Sequence, residues 1–589
     1  MCGIIGFKGN GRVMAELVEG LQRMEYRGYD SWGVAALTPK GIFLQRRVGA
    51  IGEGKIKQAP PQASMGIAHT RWATHGGVTQ ENAHPHTSSD GRFVVAQNGI
   101  AENYLELKTV LRKQGYRFKT PTDTEVIVHL IHSGLKKTKQ FATAVRRAFL
   151  QLEGRNTIIV LDRTTSQIVA VRNGSPLVLG HLPDGGALLA SDTLPLAGKT
   201  EQVTYLEDLQ MVVVNDQVKI FDVKTGKQLR PKRQKLNLVE QKIDKAGFDH
   251  FMLKEIVEQK HTIIEATSYS EQELVPLVKA LKKARQIYTI GAGTAAFSAG
   301  QIARLLRTIA KLPAQELRSY EIDSFLPLMS SQDLLLVVSQ SGETADTLDA
   351  ISKAQTKGVK LASIVNMIGS TTSRLSQYAY LSRTGPEICV ASTKAYTAQI
   401  AWGYLLASAV VGQFDQAQKE IKRTAGQLEQ YFSRSTFRSL KALAKRLVDH
   451  QHFFIIGKDQ HFYTAQEGAL KIKEITYKHF EGFSAGELKH GVIALIDQGT
   501  PVFGIVSNDQ HRADVLSALA EVKARGATTI GIAAKNHELF DFHLPMADGG
   551  QVDMISKIIP FQLMAYFLGV HLGNNPDKPR NLAKSVTVR

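Results

Sequence analysis

The sequence predicts an α+β domain followed by an α/β domain built from two doubly wound parallel sheets. Up to about residue 237, short apolar runs such as 158–161, 168–171 and 211–214 are separated by Gly, Asp and Asn turns, which is typical of a sheet-rich α+β domain. From about residue 275, short apolar strands alternate with longer helical stretches, the pattern of a parallel sheet covered by helices. The second half is therefore predicted to be α/β.

The second half also repeats itself. One predicted strand ends at Gly291 and the next ends at Ser339, and a corresponding pair ends at Gly457 and Ser507 with nearly the same spacing. In each copy a helix and a basic residue followed by Gly lead to a third strand, at 358–365 and at 526–533. We infer a duplicated doubly wound subdomain.

These patterns divide the chain into five predicted segments. They are an N-terminal domain (1–237), a linker with an entry helix (238–274), the two α/β copies (275–413 and 445–573) and a C-terminal tail (574–589). A basic run closes the first domain and consists of Arg230, Lys232, Arg233 and Lys235. We interpret this run as a solvated interdomain linker.

Composition favours an ordinary globular protein. The 589 residues are 43% hydrophobic and 21% charged, which is enough for two or more cores. The net charge of +18 is spread along the chain rather than clustered, so a nucleic-acid partner is not expected, whereas a phosphorylated small substrate would suit a basic surface.

Three absences set the expected compartment. The apolar stretch 400–412 is shorter than the roughly 20 residues that cross a bilayer, so we interpret it as a buried helix and expect no membrane partner. The N-terminus lacks the pattern of a secretion signal. Cys2 and Cys389 are the only cysteines, too few for a disulfide framework. We expect a cytoplasmic protein.

Cys2 is the first candidate for catalysis. It follows the initiator Met1, and removal of Met1 would leave Cys2 with a free α-amine. An α-amine has a pKa of roughly 7.7–8.0 and a thiol about 8.5, so near neutrality the two groups can exchange a proton without another partner. The residue could then act as a nucleophile that carries its own base.

Other motifs in the first domain give Cys2 a context. They are Met1 to Gly6 (MCGIIG), Tyr26 to Ser31 (YRGYDS), Arg71 to Gly76 (RWATHG), Gln97 to Gly99 (QNG) and Thr122 to Glu125 (TDTE). Together they resemble the N-terminal-nucleophile glutamine amidotransferases and, more specifically, the glutamine–fructose-6-phosphate transaminase (isomerising) family. The resemblance implies that 1–237 is a glutaminase domain.

A glutamine substrate offers three groups for recognition. The Arg71 guanidinium could bind the carboxylate of glutamine with two parallel hydrogen bonds, and the Asp123 carboxylate could pair with its ammonium. The Asn98 amide and the Gly99 N–H could form an oxyanion hole for the amide carbonyl. The resemblance adds two pocket residues, Thr74 and His75. It also implies that Trp72 gates an internal ammonia passage, although Trp72 could equally be an ordinary core residue.

A metal site is not expected in this domain. Four histidines, His69, His75, His84 and His86, lie around turn residues without an acidic or thiol complement. The resembling family needs no metal or other cofactor there.

The second candidate site follows a predicted strand of the first α/β copy. Ser339, Gln340, Ser341 and Thr344 stand where the strand ends and a helix should begin, and free backbone N–H groups there attract phosphate. The motif resembles the sugar-isomerase (SIS) domain. In the second copy the corresponding segment, 507–509, has lost the hydroxyl pattern, so we expect one phosphate site per chain.

The loop after Gly291 allows a competing interpretation. Residues 291–296 fit the loose dinucleotide pattern G-x-G-x-x-A, but the acidic residue that would bind a ribose about 20 positions later is missing. The resemblance instead assigns Thr294 to the sugar phosphate. The family usually has Ser after this threonine, and Ala295 in its place suggests weaker phosphate binding or a compensating contact.

The resemblance spans nearly the whole chain and implies the remaining roles. It assigns Lys584 to a Schiff base with the open sugar, Glu474 to the proton shuttle between C1 and C2, and His490 to ring opening, with Lys471 assisting. Val390 and Ser392 complete the sugar-phosphate site, and the tail 574–589 is catalytic. In the family, the histidine that corresponds to His490 reaches the neighbouring subunit's site, so the resemblance implies a homodimer.

The implied reaction converts L-glutamine and D-fructose 6-phosphate to L-glutamate and D-glucosamine 6-phosphate, the committed step of amino-sugar synthesis. Two alternatives stay open: a related glutamine-dependent transferase or deglycase acting on another sugar phosphate, and a sugar-phosphate-sensing regulator. Two further departures from the family are Gln97, where His is frequent, and Lys260, where Pro is common. Neither is expected to contact a catalytic residue.

Overall fold

The computed structural model describes residues 2–10, 12–52, 56, 60, 62–236 and 244–587. These residues form two compact units: the described parts of 1–243 and 585–589 form unit 1, and 244–584 form unit 2. The predicted boundary between 237 and 238 lies outside the described residues.

Unit 1 contains two antiparallel sheets and four α-helices. The strands are β1 (Gly3–Lys8), β2 (Ser31–Thr38), β3 (Gly41–Val48), β4 (Met65–Arg71), β5 (His86–Thr87), β6 (Phe93–Gly99), β7 (Asn156–Asp162), β8 (Gln167–Asn173), β9 (Val178–His181), β10 (Ala187–Ala190), β11 (Gln202–Tyr205), β12 (Gln210–Val214), β13 (Val218–Asp222), β14 (Gln228–Leu229) and β15 (Gln234–Lys235). The helices are α1 (Val13–Arg23), α2 (Tyr104–Lys113), α3 (Thr124–Leu135) and α4 (Phe141–Phe149).

The two sheets of unit 1 pack face to face between helices. The strand orders are β15-β11-β9-β10-β1-β4-β2-β3 and β14-β13-β12-β8-β7-β6-β5. Ile67 of the first sheet and Ile159 of the second belong to one buried cluster, whereas Ile158 faces a second cluster with α3 and α4. Because neighbouring residues of a strand point to opposite faces, both faces of β7 are apolar. The predicted runs 158–161, 168–171 and 211–214 all lie in strands.

The prediction for the basic run was wrong in part. Its four basic residues are exposed, as expected for a solvated segment. However, β15 pairs antiparallel with β11, with Lys235 opposite Gln202, so the run ends in an edge strand of unit 1 rather than in a linker. Lysine at a sheet edge discourages pairing with other chains.

Unit 2 contains two parallel sheets and twelve α-helices among the described residues. The strands are β16 (Ile287–Gly291), β17 (Ala314–Arg318), β18 (Leu334–Ser339), β19 (Lys360–Val365), β20 (Tyr378–Leu381), β21 (His452–Gly457), β22 (His479–Ser484), β23 (Pro501–Val506), β24 (Thr528–Ala533) and β25 (Phe542–Pro545). The helices are α5 (Phe251–Ala266), α6 (Glu271–Lys283), α7 (Thr294–Thr308), α8 (Ala345–Thr356), α9 (Thr371–Leu375), α10 (Lys394–Val410), α11 (Phe414–Tyr431), α12 (Arg434–Leu447), α13 (Phe462–Thr476), α14 (Arg512–Lys523), α15 (Asp553–Lys557) and α16 (Ile559–His571).

The two sheets of unit 2 have the same topology. Their orders are β17-β16-β18-β19-β20 and β22-β21-β23-β24-β25, and every pairing is parallel. This is the doubly wound order in which ligands bind outside the carboxyl ends of the strands where the direction of winding changes. That switch point lies between β16 and β18 in the first sheet and between β21 and β23 in the second. The predicted duplication is confirmed.

Long apolar helices form the centre of unit 2. All 17 residues of α10 are buried, which confirms the interpretation of 400–412 as a buried helix over 400–410, whereas Val411 and Gly412 follow the helix and are exposed. Among the described residues, one stretch, Gly550–His571, is long and apolar enough to cross a membrane, but 89% of its most apolar window is buried, as in the core helix of a folded unit.

Candidate active sites

The nucleophile candidate in unit 1 lies at the start of the central strand β1. Cys2 is partly buried, and its Sγ accepts a hydrogen bond of 3.3 Å from the backbone N–H of Trp72, which follows the neighbouring strand β4. Burial raises the pKa of the Cys2 thiol, although the Trp72 N–H and Arg71 lower it. The thiol therefore needs a base before it can attack.

Asn98 and Gly99 end β6 beside Cys2. The Asn98 amide nitrogen donates a hydrogen bond of 3.0 Å to the carbonyl oxygen of Cys2. Gly99 has a φ of +138°, and a Cβ at this position would lie 2.2 Å from the carbonyl oxygen of Arg155. Only glycine fits this turn, which redirects the backbone next to the nucleophile.

His69 orients the Asn98 amide, a role that the sequence did not suggest. Its Nε2 lies 2.9 Å from the carbonyl oxygen of Gln97 and 3.1 Å from Oδ1 of Asn98. Burial lowers the pKa of His69 to about 3, so the ring is neutral, and two acceptors require the hydrogen at Nε2. The amide oxygen of Asn98 therefore faces His69 and its nitrogen faces Cys2.

Arg27 holds Cys2 from the other side. Its Nε donates a hydrogen bond of 3.3 Å to the Cys2 carbonyl, and its guanidinium pairs with buried Asp192 at 2.8 Å. The hydroxyl of Tyr26 donates to the same carboxylate. Arg27 belongs to a motif recognised in the sequence, but its partner Asp192 lies 165 positions away.

The predicted glutamine-binding residues surround this centre. The Arg71 guanidinium donates to the carbonyls of His75 at 2.6 Å and Gly76 at 3.2 Å, so it fixes the loop after β4. Charge interactions link Arg71 to both Cys2 and Asp123. On the same loop, Thr74 is exposed and His75 is half-buried against the ring of Tyr104, with centroids 5.1 Å apart.

Asp123 lies at the start of α3 and is supported by Gln97. Its carboxylate accepts the N–H of Ala101 at 2.9 Å and the Gln97 side-chain amide at 3.2 Å, and burial raises its pKa. Gln97 thus contacts a predicted glutamine-binding residue, a role that the sequence did not suggest. Lys260, the other departure, pairs with Glu429 at 3.2 Å and contacts none of the candidate residues through the hydrogen bonds of the described chain.

The predicted phosphate loop follows β18 at the switch point of the first sheet. Ser339 Oγ accepts the N–H of Gly342 at 2.9 Å, and Ser341 Oγ accepts the N–H of Glu343 at 3.2 Å. Gly342 has a φ of +66°, and a Cβ there would meet Ser370 Oγ at 2.3 Å. Thr344 then occupies the N-cap position of α8, where its side chain makes no capping hydrogen bond. Gln340 accepts the N–H of Asn366 at 3.0 Å through its carbonyl, so a second segment holds the loop in place.

Thr294 follows β16 at the same switch point and joins the loop to α13. Its hydroxyl accepts a hydrogen bond of 2.9 Å from the Lys471 ammonium and donates to Glu467 at 3.2 Å. Lys471 also pairs with Glu474 at 2.5 Å. The structure thus brings Thr294, Lys471 and Glu474 together. Ala295 is half-buried beside them, and its effect on phosphate affinity stays a prediction.

Glu467 is a further member of this cluster. It is fully buried, and burial raises its pKa to about 8 although Lys471 opposes the shift. Glu467 and Glu474 raise the pKa of Lys471 against the effect of burial, so this amine stays protonated at neutral pH. No role for Glu467 was predicted from the sequence.

Lys584 lies in a separate buried cluster with the segment before α10. Its ammonium pairs with Glu387 at 2.5 Å and donates to the carbonyl of Cys389 at 2.8 Å. Ser392 Oγ donates to the same Glu387 carboxylate at 2.8 Å. The N–H of the neighbouring Val390 donates to the carbonyl of Asp577 at 3.2 Å, which holds the C-terminal tail beside this segment.

His490 is not part of either cluster. It ends a short 3-10 helix, Ala485–His490, and is exposed. Among the described residues, no hydrogen bond or ion pair joins it to Glu474, Lys471 or Lys584.

Three polar side chains stand at the switch point of the second sheet, beside a cavity of about 630 Å³ that Ser507 and Asp553 help to line. Ser507 follows β23, donates its hydroxyl to Asp553 and lies 2.7 Å from Nε2 of His461, which contacts Asp553 at 3.3 Å. All three residues are buried. A buried carboxylate at this position disfavours an anionic ligand, which agrees with the lost hydroxyl pattern.

Comparison with known proteins gives the class first. The family model for a glutamine amidotransferase domain matches residues 69–197, and the model for a SIS domain matches residues 280–409 and 446–566. The chain is thus a glutamine amidotransferase domain followed by tandem SIS domains.

Full-length relatives give the family. The glutamine–fructose-6-phosphate aminotransferase [isomerizing] of Pyrococcus horikoshii is 39% identical over 602 aligned residues, and that of Thermus thermophilus is 38% identical over 612, each covering 100% of both chains. The chain belongs to the glutamine–fructose-6-phosphate aminotransferase (isomerising) family.

Solved structures of other proteins share the fold of unit 2. The C-terminal domain of glucosamine-fructose-6-phosphate aminotransferase from Francisella tularensis is 29% identical, covers 57% of this chain and 100% of that one, and superposes with a TM-score of 0.53. A tagatose-6-phosphate ketose/aldose isomerase from Escherichia coli has a TM-score of 0.50 at 19% identity, over 57% of this chain and 98% of that one, and shows the fold alone.

Proposed function

We propose that the chain converts L-glutamine and D-fructose 6-phosphate to L-glutamate and D-glucosamine 6-phosphate. The observation that carries the proposal is a chain that aligns end to end with aminotransferases of this name and holds the residues that both half-reactions need. Cys2 lies with Asn98 in unit 1, and unit 2 holds one cluster with Thr294 and Glu474 and a second with Lys584.

In the first half-reaction, the Cys2 thiolate attacks the amide carbon of glutamine after its own α-amine has taken the proton. Arg71, Thr74 and His75 bind the glutamine carboxylate end, and Asp123 binds its ammonium. The Asn98 amide, already aimed at the Cys2 backbone, and the Gly99 N–H stabilise the oxyanion. Ammonia leaves, and water then releases glutamate.

In the second half-reaction, the loop of Ser339, Gln340, Ser341 and Thr344 binds the sugar phosphate together with Thr294, Val390 and Ser392. Lys584 forms an imine with the open-chain sugar, and ammonia replaces it at C2. Glu474 then moves a proton between C1 and C2, and Lys471 neutralises the carboxylates near it.

The remaining assignments concern assembly. His490, exposed and away from the cluster of its own unit, opens the sugar ring in the site of a neighbouring subunit, so the active form is a homodimer. Trp72 gates the passage of ammonia. The domains follow the predicted boundaries, and the protein works in the cytoplasm.

The test is glucosamine 6-phosphate formation from glutamine and fructose 6-phosphate. Cys2→Ala is expected to abolish the glutamine-dependent reaction but keep the reaction with added ammonia, whereas Lys584→Ala is expected to abolish both. Glutamine hydrolysis without any amino sugar would contradict the assignment of fructose 6-phosphate as the ammonia acceptor. It would favour the alternative that the chain acts on another sugar phosphate, which product analysis would identify.

A further inference from the structure

Glu387 is a fully buried carboxylate with four donors on its two oxygens. Oε2 accepts from Lys584 at 2.5 Å and from Ser392 at 2.8 Å. Oε1 accepts the backbone N–H groups of Thr393 at 2.9 Å and Ala395 at 3.0 Å, at the start of α10. One carboxylate therefore joins the lysine, a predicted sugar-site serine and a helix N-terminus.

The Glu387–Lys584 pair is shielded from water. The side chains are 0% and 2% exposed. Burial alone would raise the pKa of Glu387, but the Lys584 ammonium and the α10 N–H groups hold it below its ordinary value. An ammonium cannot attack a carbonyl, so the lysine must lose a proton inside this closed cluster before it can form an imine.

The other ionisable groups around the pair are poor acceptors. Burial and the neighbouring Glu387 raise the pKa of Glu255 on α5 to about 8, so this carboxyl is already protonated at neutral pH. Burial keeps the Cys389 thiol protonated by raising its pKa. Lys394 is a cation paired with Glu258 at 2.8 Å. Asp577 accepts the N–H groups of Phe251 and Met252 at the start of α5, and no hydrogen bond between described residues joins it to Lys584.

We propose that Glu387 is the proton acceptor for Lys584, taking a proton from its ammonium so that the amine can attack C2 of the open-chain sugar phosphate. This inference rests on the proposed function. The transfer converts an ion pair into a neutral amine and a neutral carboxylic acid, which relieves the desolvation cost that the buried pair carries.

The step balances. Glu387 takes the first of the three ammonium protons. The Lys584 lone pair then forms the new C–N bond while the carbonyl π electrons move to oxygen, and this oxygen takes the second proton from the attacking nitrogen to give a neutral carbinolamine. The hydroxyl leaves as water with the proton that Glu387 returns, and the nitrogen keeps its third proton, so the products are the protonated imine, water and the regenerated carboxylate.

The chain offers a matched control for this role. Glu387→Gln keeps an oxygen to cap α10 but removes the counter-charge and the acceptor beside Lys584. Glu255→Gln changes a carboxyl of the same cluster that is already neutral. The Glu255 carboxyl accepts the N–H groups of Ile388 and Cys389 and forms no hydrogen bond with Lys584 among the described residues. Both variants replace a buried Glu with Gln, but only Glu387→Gln removes a charge.

The experiment traps the imine in the full-length protein with fructose 6-phosphate and cyanoborohydride, from about pH 6.5 to about pH 9, and locates the adduct by mass spectrometry. Glu387→Gln is expected to slow trapping at Lys584 by about 100-fold near neutrality while fructose 6-phosphate affinity changes little. Its rate relative to wild type should rise with pH, because hydroxide then replaces the missing acceptor. Glu255→Gln should follow wild type throughout.

Trapping by Glu387→Gln at the wild-type rate, or a reduction that is the same at every pH and parallels a loss of sugar affinity, would overturn the inference. If wild type forms glucosamine 6-phosphate without any adduct at Lys584, the inference also fails but the proposed reaction stands. If wild type forms no product, the proposed function itself fails.

Discussion

The side-chain amide of Asn98 donates a hydrogen bond to the carbonyl oxygen of Cys2 across 96 positions of sequence. Two strands, β1 and β6, belong to different sheets of unit 1, and this bond joins their ends. The donor is thus placed before any substrate arrives, which is the arrangement that oxyanion stabilisation requires.

Replacing Asn98 with Ala is expected to reduce kcat for glutamine hydrolysis by about 10²–10³-fold, because one preorganised donor is lost. KM for glutamine should change much less. Steady-state glutaminase assays test this, and Asn536→Ala, which changes an exposed Asn of unit 2, is the control. An equal loss in both variants would contradict the assignment.

Gln97→Ala is expected to raise KM for glutamine about tenfold, since it removes the amide that holds the Asp123 carboxylate at 3.2 Å. The sugar reaction driven by added ammonia should be unaffected. Gln97→His, which restores the residue frequent in the family, separates the need for a hydrogen bond from the need for this particular amide. An unchanged KM in Gln97→Ala would show that Asp123 is positioned without it.

Unit 1 should lose stability as the pH falls from 6.5 towards 3. Burial lowers the pKa of His69 and of His86 to about 3, so both stay neutral when folded, whereas the unfolded chain takes up protons below about 6.5. Each histidine then lowers the free energy of unfolding by about 1.4 kcal/mol per pH unit in this window.

Hydrogen exchange of β4 and β6 in the full-length protein, measured over that pH range, tests this prediction. Replacing His86 with Gln should make the pH dependence less steep, whereas the same change at exposed His490 should leave it unaltered. If neither substitution changes the slope of stability against pH, groups other than His86 control acid unfolding.

Ser339→Ala is expected to weaken fructose 6-phosphate binding about five- to tenfold, because Ser339 Oγ accepts the Gly342 N–H and shapes the loop. Ser507→Ala changes the corresponding serine of the second sheet and should leave this affinity as it is. Glutamine hydrolysis serves as the folding control for both. A loss of affinity in Ser507→Ala alone would mean that the sugar phosphate binds at the second sheet and not at the first.

Sequence patterns predicted much of this architecture because they are local. Periodicity located strands such as β7 and β18, and the repeat of Gly291 and Ser339 at Gly457 and Ser507 predicted the duplicated sheet. Edge pairing between β15 and β11 was missed because two-residue strands carry no periodic signal.

The candidate sites were predictable only where a motif carried the residues. Glu387 supports Lys584 from 197 positions away, and His69 orients Asn98 from another strand. Such partners act through three-dimensional proximity and protonation state, neither of which a residue's neighbours in sequence reveal. Gln97 shows the same limit, since its importance comes from Asp123 and not from the adjacent Asn98.

The buried carboxylate at the switch point of the second sheet has a consequence for stoichiometry. Asp553 contacts His461 and accepts the hydroxyl of Ser507 at the carboxyl end of β23, the place that corresponds to the phosphate loop after β18 in the first sheet, and a carboxylate there repels a phosphate. Calorimetric titration with fructose 6-phosphate should therefore saturate at one equivalent per chain, so that a duplicated scaffold delivers a single acceptor for each ammonia released.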